Sequence, residues 1–404
     1  MAPLGAALVG TGIFARDVYK TAFKSRAGDV ELRAVWSRTA DSARAYVEEL
    51  FPGGSPVALS GEEGLQALIA DPAIELVVVV LPVQPSLPVV ERLLAAGKAV
   101  VQEKPVGPSV EEAAAAIARY RAAVAAAASP AAAPVWMFAE NYRWEAVFLA
   151  AAARVAAGVL GAVIKLDLVA DLPMDARNRY YGSAWRRDTA QCPGGFFTDS
   201  SVHFVAALRM LAAAAGAGEA TSVSAHAVQV KPDLSFPDSV VGVATFASGV
   251  PASISISLAA HQVRWSLSVV GTEGSLEVSR GGWGGSRGEY TLNIKTSGPL
   301  PEGAKPASEA DPTWQKLAFP FSGCPDEFAE FVETTRGLRH GSGISTTGGG
   351  SGSGAGGGSA AVAAAVPGPE AASSPEQGAR DLALIEALLS SAAEKGKPVP
   401  VRQV

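Results

Sequence analysis

Cysteine is scarce in this chain: Cys192 and Cys324 are the only two in 404 residues. They match no metal-ligand spacing and make no disulfide framework, so the expectation is a reducing, cytoplasmic setting without a metal centre. Long apolar runs are also missing. The Ala-rich stretches are weakly hydrophobic and broken by charges, which excludes a bilayer-spanning helix. There is no basic run and no stripe of Lys and Arg; net charge is −6 and the pI about 5.4, so neither nucleic acid nor a membrane surface is an expected partner. The first strand begins by about Leu4, which leaves no room ahead of it for a signal or transit peptide. No internal repeat is visible. Apolar residues, in contrast, are plentiful: 48% are hydrophobic and 18% charged, enough to build the cores of two or three domains.

The apolar run Gly5–Val9 reads as a buried strand and leads directly into Gly10-Thr11-Gly12-Ile13-Phe14-Ala15. This is the G-x-G-x-x-G/A pattern in its strand–turn–helix setting. Gly10 permits the tight turn, Gly12 lets the backbone approach a pyrophosphate, and Ala15 keeps the helix close to the strand. The helix N-terminus offers free N–H groups and partial positive charge to phosphates. A dinucleotide is therefore the expected cofactor. The second strand, Glu31–Trp36, ends at Ser37-Arg38-Thr39, where an NAD-binding fold would carry an acid for the ribose hydroxyls. A guanidinium flanked by two hydroxyls suits a 2′-phosphate instead, so NADP is expected over NAD. An exposed loop arginine is the competing reading.

Further strands and helices alternate: Val57–Leu59, a helix over 64–70, the continuous apolar run Leu76–Leu81, a helix over 87–96, and Ala99–Gln102. That alternation marks a doubly wound parallel sheet. The stretch Val100–Gly107 (VVQEKPVG) organises the rest. Pro105 fixes its own φ and biases Lys104 toward an extended backbone, so the lysine sits at a strand's carboxyl end, where open α/β sheets bind ligands. Taken alone, an EKP is better read as a solvated Glu-Lys pair in a surface turn; the motifs on either side of it change that. Leu81, Pro82 and Glu103 stand at the same edge and join the expected cofactor contacts.

Ser129-Pro130 and Pro134 mark a domain boundary. Alternating strands follow at 163–169, 222–230, 240–246, 252–258 and 264–270, the pattern of an antiparallel sheet. The expected division is a Rossmann domain over 1–130, an α+β substrate and oligomerisation domain over 131–340, a flexible Gly/Ser/Ala-rich insert over 341–376, and a closing helix and strand over 377–404. Within the second domain, Gly194–His203 (GGFFTDSSVH) places Asp199 and His203 four apart on one helix face. A carboxylate beside an imidazole can orient its tautomer and hold a proton acceptor near neutral pH. The bland alternative is an N-cap and a core histidine. Trp185 and Arg186, just upstream, offer an aromatic wall and a cation and join the expected cofactor contacts.

The order GTGIFA, then EKPVG about a hundred residues on, then GGFFTDSSVH after a change to antiparallel strands, resembles the Gfo/Idh/MocA oxidoreductase family. The resemblance covers nearly the whole chain, including the final helix (ARDLALIEALLSSA), but not the Gly/Ser-rich insert. It implies an N-terminal Rossmann domain, a C-terminal α/β domain on an open, mainly antiparallel sheet, and hydride transfer between a nicotinamide and a sugar, polyol, cyclitol or related small molecule. It also implies Lys104, Asp199 and His203 as catalytic residues: His203 as general acid/base, Lys104 holding or sharing the proton at the substrate oxygen, Asp199 orienting His203. A homodimer is the default expectation. Two positions depart from the family's pattern: Ser86 stands where a histidine is frequent, and Ser201 where glycine is usual. Both blur the substrate class. A non-catalytic dinucleotide-binding regulator, and a reductase of an aromatic diol, dicarbonyl or tetrapyrrole, are the alternatives that the same resemblance leaves open.

Overall fold

β1 (Leu4–Val9) buries all six of its residues, as a central parallel strand must when helices cover both sheet faces. In the computed structural model, which describes residues 2–53, 56–190, 192–234, 237–281, 288–297, 306–308, 311–340 and 370–404, the chain forms two units. The first is built from residues 1–107, 111–139 and 324–377, the second from 108–110, 140–323 and 378–404.

After β1 the first unit runs through α1 (Lys20–Ser25), β2 (Val30–Ser37), α2 (Ala40–Leu50), β3 (Val57–Ser60), α3 (Gly61–Ala70), β4 (Leu76–Val79), α4 (Val83–Ala95), β5 (Ala99–Glu103), α5 (Val110–Ala126) and β6 (Val135–Ala139). The strand order is β3-β2-β1-β4-β5-β6 and all pairs are parallel, which is the doubly wound Rossmann arrangement. A π-helical turn over Ala15–Tyr19 precedes α1, so the helix after the glycine turn is not uniformly α.

The second unit contains α6 (Ala146–Ala156), β7 (Val163–Asp171), α7 (Ala184–Arg187), α8 (Gly195–Ala214), β8 (Ala220–Val228), β9 (Ser239–Phe246), β10 (Pro251–Ser257), β11 (Arg264–Gly271), β12 (Gly274–Gly281), β13 (Glu289–Thr296), β14 (Pro306–Ser308) and β15 (Asp311–Pro320). The chain then adds α9 (Gly323–His340), α10 (Pro375–Ala393) and β16 (Val399–Pro400). Ten strands form one sheet in the order β14-β15-β13-β12-β11-β7-β10-β9-β8-β16. Every pair is antiparallel except β7 with β10, which is parallel. The core of this unit packs Phe204, Leu208 and Leu211 of α8 and Leu382, Ile385 and Leu388 of α10 with the sheet residues Leu168, Ile254 and Leu267.

Three boundaries differ from the sequence expectation. The segment over 131–139 belongs to the first unit, because β6 pairs with β5 as the sixth parallel strand. α9, expected in the second domain, buries Phe328, Phe331, Val332 and Leu338 in the core of the first, against Phe23 and the Rossmann strands. The expected insert over 341–376 lies outside the described residues for 341–369. Its end, 370–376, is packed rather than flexible: the Ser373 carbonyl accepts from Phe138 N at 2.7 Å, Ser374 is fully buried, and Arg121 pairs with Glu376 at 2.5 Å. Among the described residues, no helix is long and apolar enough to cross a membrane.

Candidate active site

In the first unit the strand order reverses between β1 and β4, and ligands bind α/β sheets at such a switch point. The glycine turn follows β1. Gly10 has φ +113°, and a Cβ there would lie 2.1 Å from the Val80 carbonyl oxygen, so only glycine fits. At Gly12 a Cβ would meet nothing within 4 Å. The backbone edge there is open, as a bound pyrophosphate requires. Ile13 is exposed and Phe14 half-buried, while Ala15 is fully buried and its carbonyl accepts from the Tyr46 hydroxyl at 2.8 Å.

The end of β2 lies beside this turn, joined by a hydrogen bond from Thr11 Oγ1 to Ser37 Oγ at 3.1 Å. Arg38 is exposed immediately after it. Thr39, expected to contact the cofactor, is the N-cap of α2. Its hydroxyl donates to Ser42 Oγ at 3.0 Å and accepts from Ser42 N at 3.4 Å, so that oxygen is engaged locally. Leu81 and Pro82 are half-buried after β4, with Pro82 opening α4. Ser86 is 1% exposed and accepts from Gln102 Nε2 at 3.1 Å, which makes it a strut between α4 and β5.

β5 delivers Glu103 and Lys104 to the sheet's carboxyl edge. Glu103 is buried and accepts from the Tyr19 hydroxyl at 2.8 Å, fastening the helix behind the glycine turn to β5. Burial raises the Tyr19 phenol well above its ordinary range, and the charge of Glu103 adds to that. Lys104 is half-buried, and its peptide bond to Pro105 is cis.

In the second unit α8 is capped by Gly194, whose φ is +73° and whose replacement would put a Cβ 2.1 Å from Thr198 Oγ1. Asp199 and His203 share one face of α8, but the expectation that Asp199 orients His203 is corrected. Asp199 Oδ2 accepts from Arg186 Nε at 2.7 Å. Arg186 also donates to Ser183 Oγ at 2.8 Å and stacks on Trp185 and Tyr180, its carbon Cζ 4.2 and 5.0 Å from the ring centroids. Arg186, stacked on Trp185, thus holds the Asp199 carboxylate.

His203 has a different partner. Its Nδ1 lies 2.7 Å from Glu140 Oε1. The Glu140 side chain is fully buried, and that of His203 is 21% exposed. Tyr142 stacks on the imidazole at 5.1 Å and 24°. Burial alone would push the Glu140 carboxyl up; the charge and hydrogen bond of His203, with Arg143 behind, outweigh it and leave it below the ordinary value. Glu140 also caps the turn Asn141–Arg143 by accepting from Tyr142 N at 3.2 Å. Sequence reasoning missed it, although a signal was present: an acid directly after the apolar strand WMFA, followed by aromatics, is an acid headed for burial and in need of a partner.

The turn bearing Glu140 is itself anchored. Arg143 donates to both oxygens of Asp381 on α10, at 2.7 and 2.8 Å. Arg209 on α8 donates to Asp381 as well, and grips Glu219 through two bonds of 2.9 and 2.7 Å. The side chains of Arg143, Asp381 and Arg209 are all buried.

Two family models match the chain: residues 4–129 match the oxidoreductase family's NAD-binding Rossmann fold, and residues 148–277 match the GFO/IDH/MocA C-terminal domain. Dehydrogenase FPY6 of Fusarium mangiferae is 31% identical over 219 residues, covering 53% of this chain and 59% of that protein. The chain spans about three fifths of the length of the first curated relatives it matches. Among solved structures, an oxidoreductase from Thermotoga maritima superposes with a TM-score of 0.72 at 24% identity, over 99% of this chain and 98% of its own. A levoglucosan dehydrogenase in complex with NADH superposes with a TM-score of 0.73 at 17% identity, over the whole of both chains. At these identities the structural likeness establishes the fold.

Proposed function

Because the chain belongs to the Gfo/Idh/MocA oxidoreductase family, we propose that it is an NADP-preferring dehydrogenase or reductase acting on a secondary alcohol or carbonyl of a sugar, polyol or cyclitol. The observation that carries the catalytic reading is His203: a partly exposed imidazole held through Nδ1 by a buried carboxylate, its Nε2 without a hydrogen bond among the described residues. Such a group is suited to take or give the hydroxyl proton.

The residues of the first unit fit a dinucleotide. Gly10 makes the turn, Gly12 leaves its backbone edge open, and Ile13, Phe14 and Ala15 supply the first N–H groups of the helix. Arg38, exposed beside Ser37, supports NADP over NAD because a 2′-phosphate would gain a charged, planar donor there. When bound, the nicotinamide supplies the hydride chemistry. Lys104 holds the substrate oxygen and shares its proton, His203 exchanges that proton, and Asp199, aimed by Arg186, anchors a neighbouring hydroxyl. A sugar-like substrate is supported by the relatives of this fold that are named for sugars, a levoglucosan dehydrogenase and an aldose-aldose oxidoreductase among them. We propose a homodimer as the working assembly, supported by the exposed apolar residues Val241 and Val243 on the outward face of β9; light scattering showing a monomer would remove it.

The test is a panel of aldoses, polyols and cyclitols with NADP and NAD, followed by single-turnover hydride transfer read as nicotinamide absorbance. Lys104→Ala and His203→Ala should each lower the rate by about 10²–10⁴-fold while dinucleotide binding, measured separately, holds. Near-wild-type rates in both would return His203 to a structural role.

A further inference from the structure

We propose that Glu140 is the positioning residue for His203: it fixes the imidazole as the Nδ1–H tautomer and leaves Nε2 as the nitrogen that exchanges the substrate proton. The proposal rests on the reading of His203 as general acid/base. A carboxylate has no proton to give, so an uncharged imidazole that bonds to Glu140 Oε1 through Nδ1, at 2.7 Å, must carry its proton there. The lone pair then lies on Nε2. Stacking on Tyr142 at 24° restrains rotation of the ring about its bond to the chain, so the lone pair has a fixed direction.

The alternative is that Glu140 serves only as the cap of its own turn. Its bond to Tyr142 N at 3.2 Å is such a cap. A cap, however, is met by a serine, threonine, asparagine or aspartate near solvent and does not call for a fully buried carboxylate. Burying that charge is costly unless it is paired. Its pairing is with the imidazole on one side and the field of Arg143 on the other, while Oε2 has no hydrogen bond among the described residues. The charged groups behind the dyad are Arg143, Asp381 and Arg209, and their bidentate and shared bonds lock the turn in place. The acid is thus rigidly aimed at a single imidazole nitrogen.

The experiment separates this role from the activity. The chain has four histidines, so ¹⁵N-histidine labelling gives a readable spectrum, and a His203→Asn sample identifies the His203 signals. Wild-type protein without substrate should show the uncharged His203 ring as the Nδ1–H tautomer. Glu140→Gln replaces an obligate acceptor with an amide that can also donate to Nδ1 and so place the proton on Nε2. The preference for the Nδ1–H tautomer should weaken and kcat fall about 10²–10⁴-fold, with KM within about threefold of wild type. An Nε2–H tautomer in wild type overturns the proposal without any variant having to fold. So does a folded Glu140→Gln with unchanged kcat. An Nδ1–H tautomer in a protein that turns over nothing in the panel would sink the proposed activity and leave the geometry of the dyad standing.

Discussion

Asp381→Asn is the substitution that should hurt the second unit most for the least change in shape. Asp381 has a side chain 1% exposed and receives both bonds of Arg143 and one from Arg209. Burial raises its carboxyl above the ordinary value, and the two guanidiniums, Arg143 first, pull it only part of the way back. Asparagine keeps the outline but removes the charge, and its amide N–H₂ faces a guanidinium that also donates. Arg143 and Arg209 would then keep Glu219 and Glu140 among their acidic neighbours. Removing one partner of a buried ion pair typically costs about 3–5 kcal/mol. For a unit of this size each kcal/mol lowers Tm by roughly 2–4 °C, so the expected drop is about 6–20 °C by thermal circular dichroism. Because the loss comes from stranded charge rather than missing volume, the triple variant Arg143→Met, Asp381→Leu, Arg209→Met should recover part of it: Glu219 is partly exposed and 3.7 Å from Arg380, and Glu140 loses Arg143 but keeps His203. A single variant melting within about 1 °C of wild type, or a triple variant no better than the single, would refute the reasoning.

Gly10→Ala should destabilise the protein before any ligand is added, by about 1–3 kcal/mol for the backbone strain alone and more for the overlap with Val80, whereas Gly12→Ala should melt like wild type and weaken dinucleotide binding; melting curves and titrations of both variants decide. Arg38→Ala should raise the KM for NADPH by roughly tenfold to more than a hundredfold and leave that for NADH alone, and a wild-type enzyme that uses both cofactors equally well would remove the basis for NADP preference. The Glu140 carboxyl, held below its ordinary value, adds stability above the unfolded pKa near ~4.3 and loses it as pH falls through the lower folded value. The stability gap between wild type and Glu140→Gln should therefore be open at mildly acidic pH and shrink as pH falls below about 4; a gap independent of pH in that range would contradict the assignment.

What the sequence determined by itself is what short-range physics encodes. A buried strand running into Gly10 and Gly12, Lys104 placed by Pro105 at a strand end, and the four-residue spacing of Asp199 and His203 are all readable because a turn, a strand end and a helix face are each set within a few residues. The alternation of strands and helices, then of strands alone, was enough for a Rossmann unit followed by a mainly antiparallel sheet. Partner choice was not readable. Glu140 lies 63 residues from His203, and Asp381 lies 238 from Arg143. No local pattern says which of several acids a buried imidazole or guanidinium will meet. The same holds for α9: its apolar stripe requires burial against some sheet, and only the packing of Phe328 and Phe331 beside Phe23 puts it in the first unit rather than the second. Periodicity specifies that a face must be covered; shape and charge complementarity across distant segments decide what covers it.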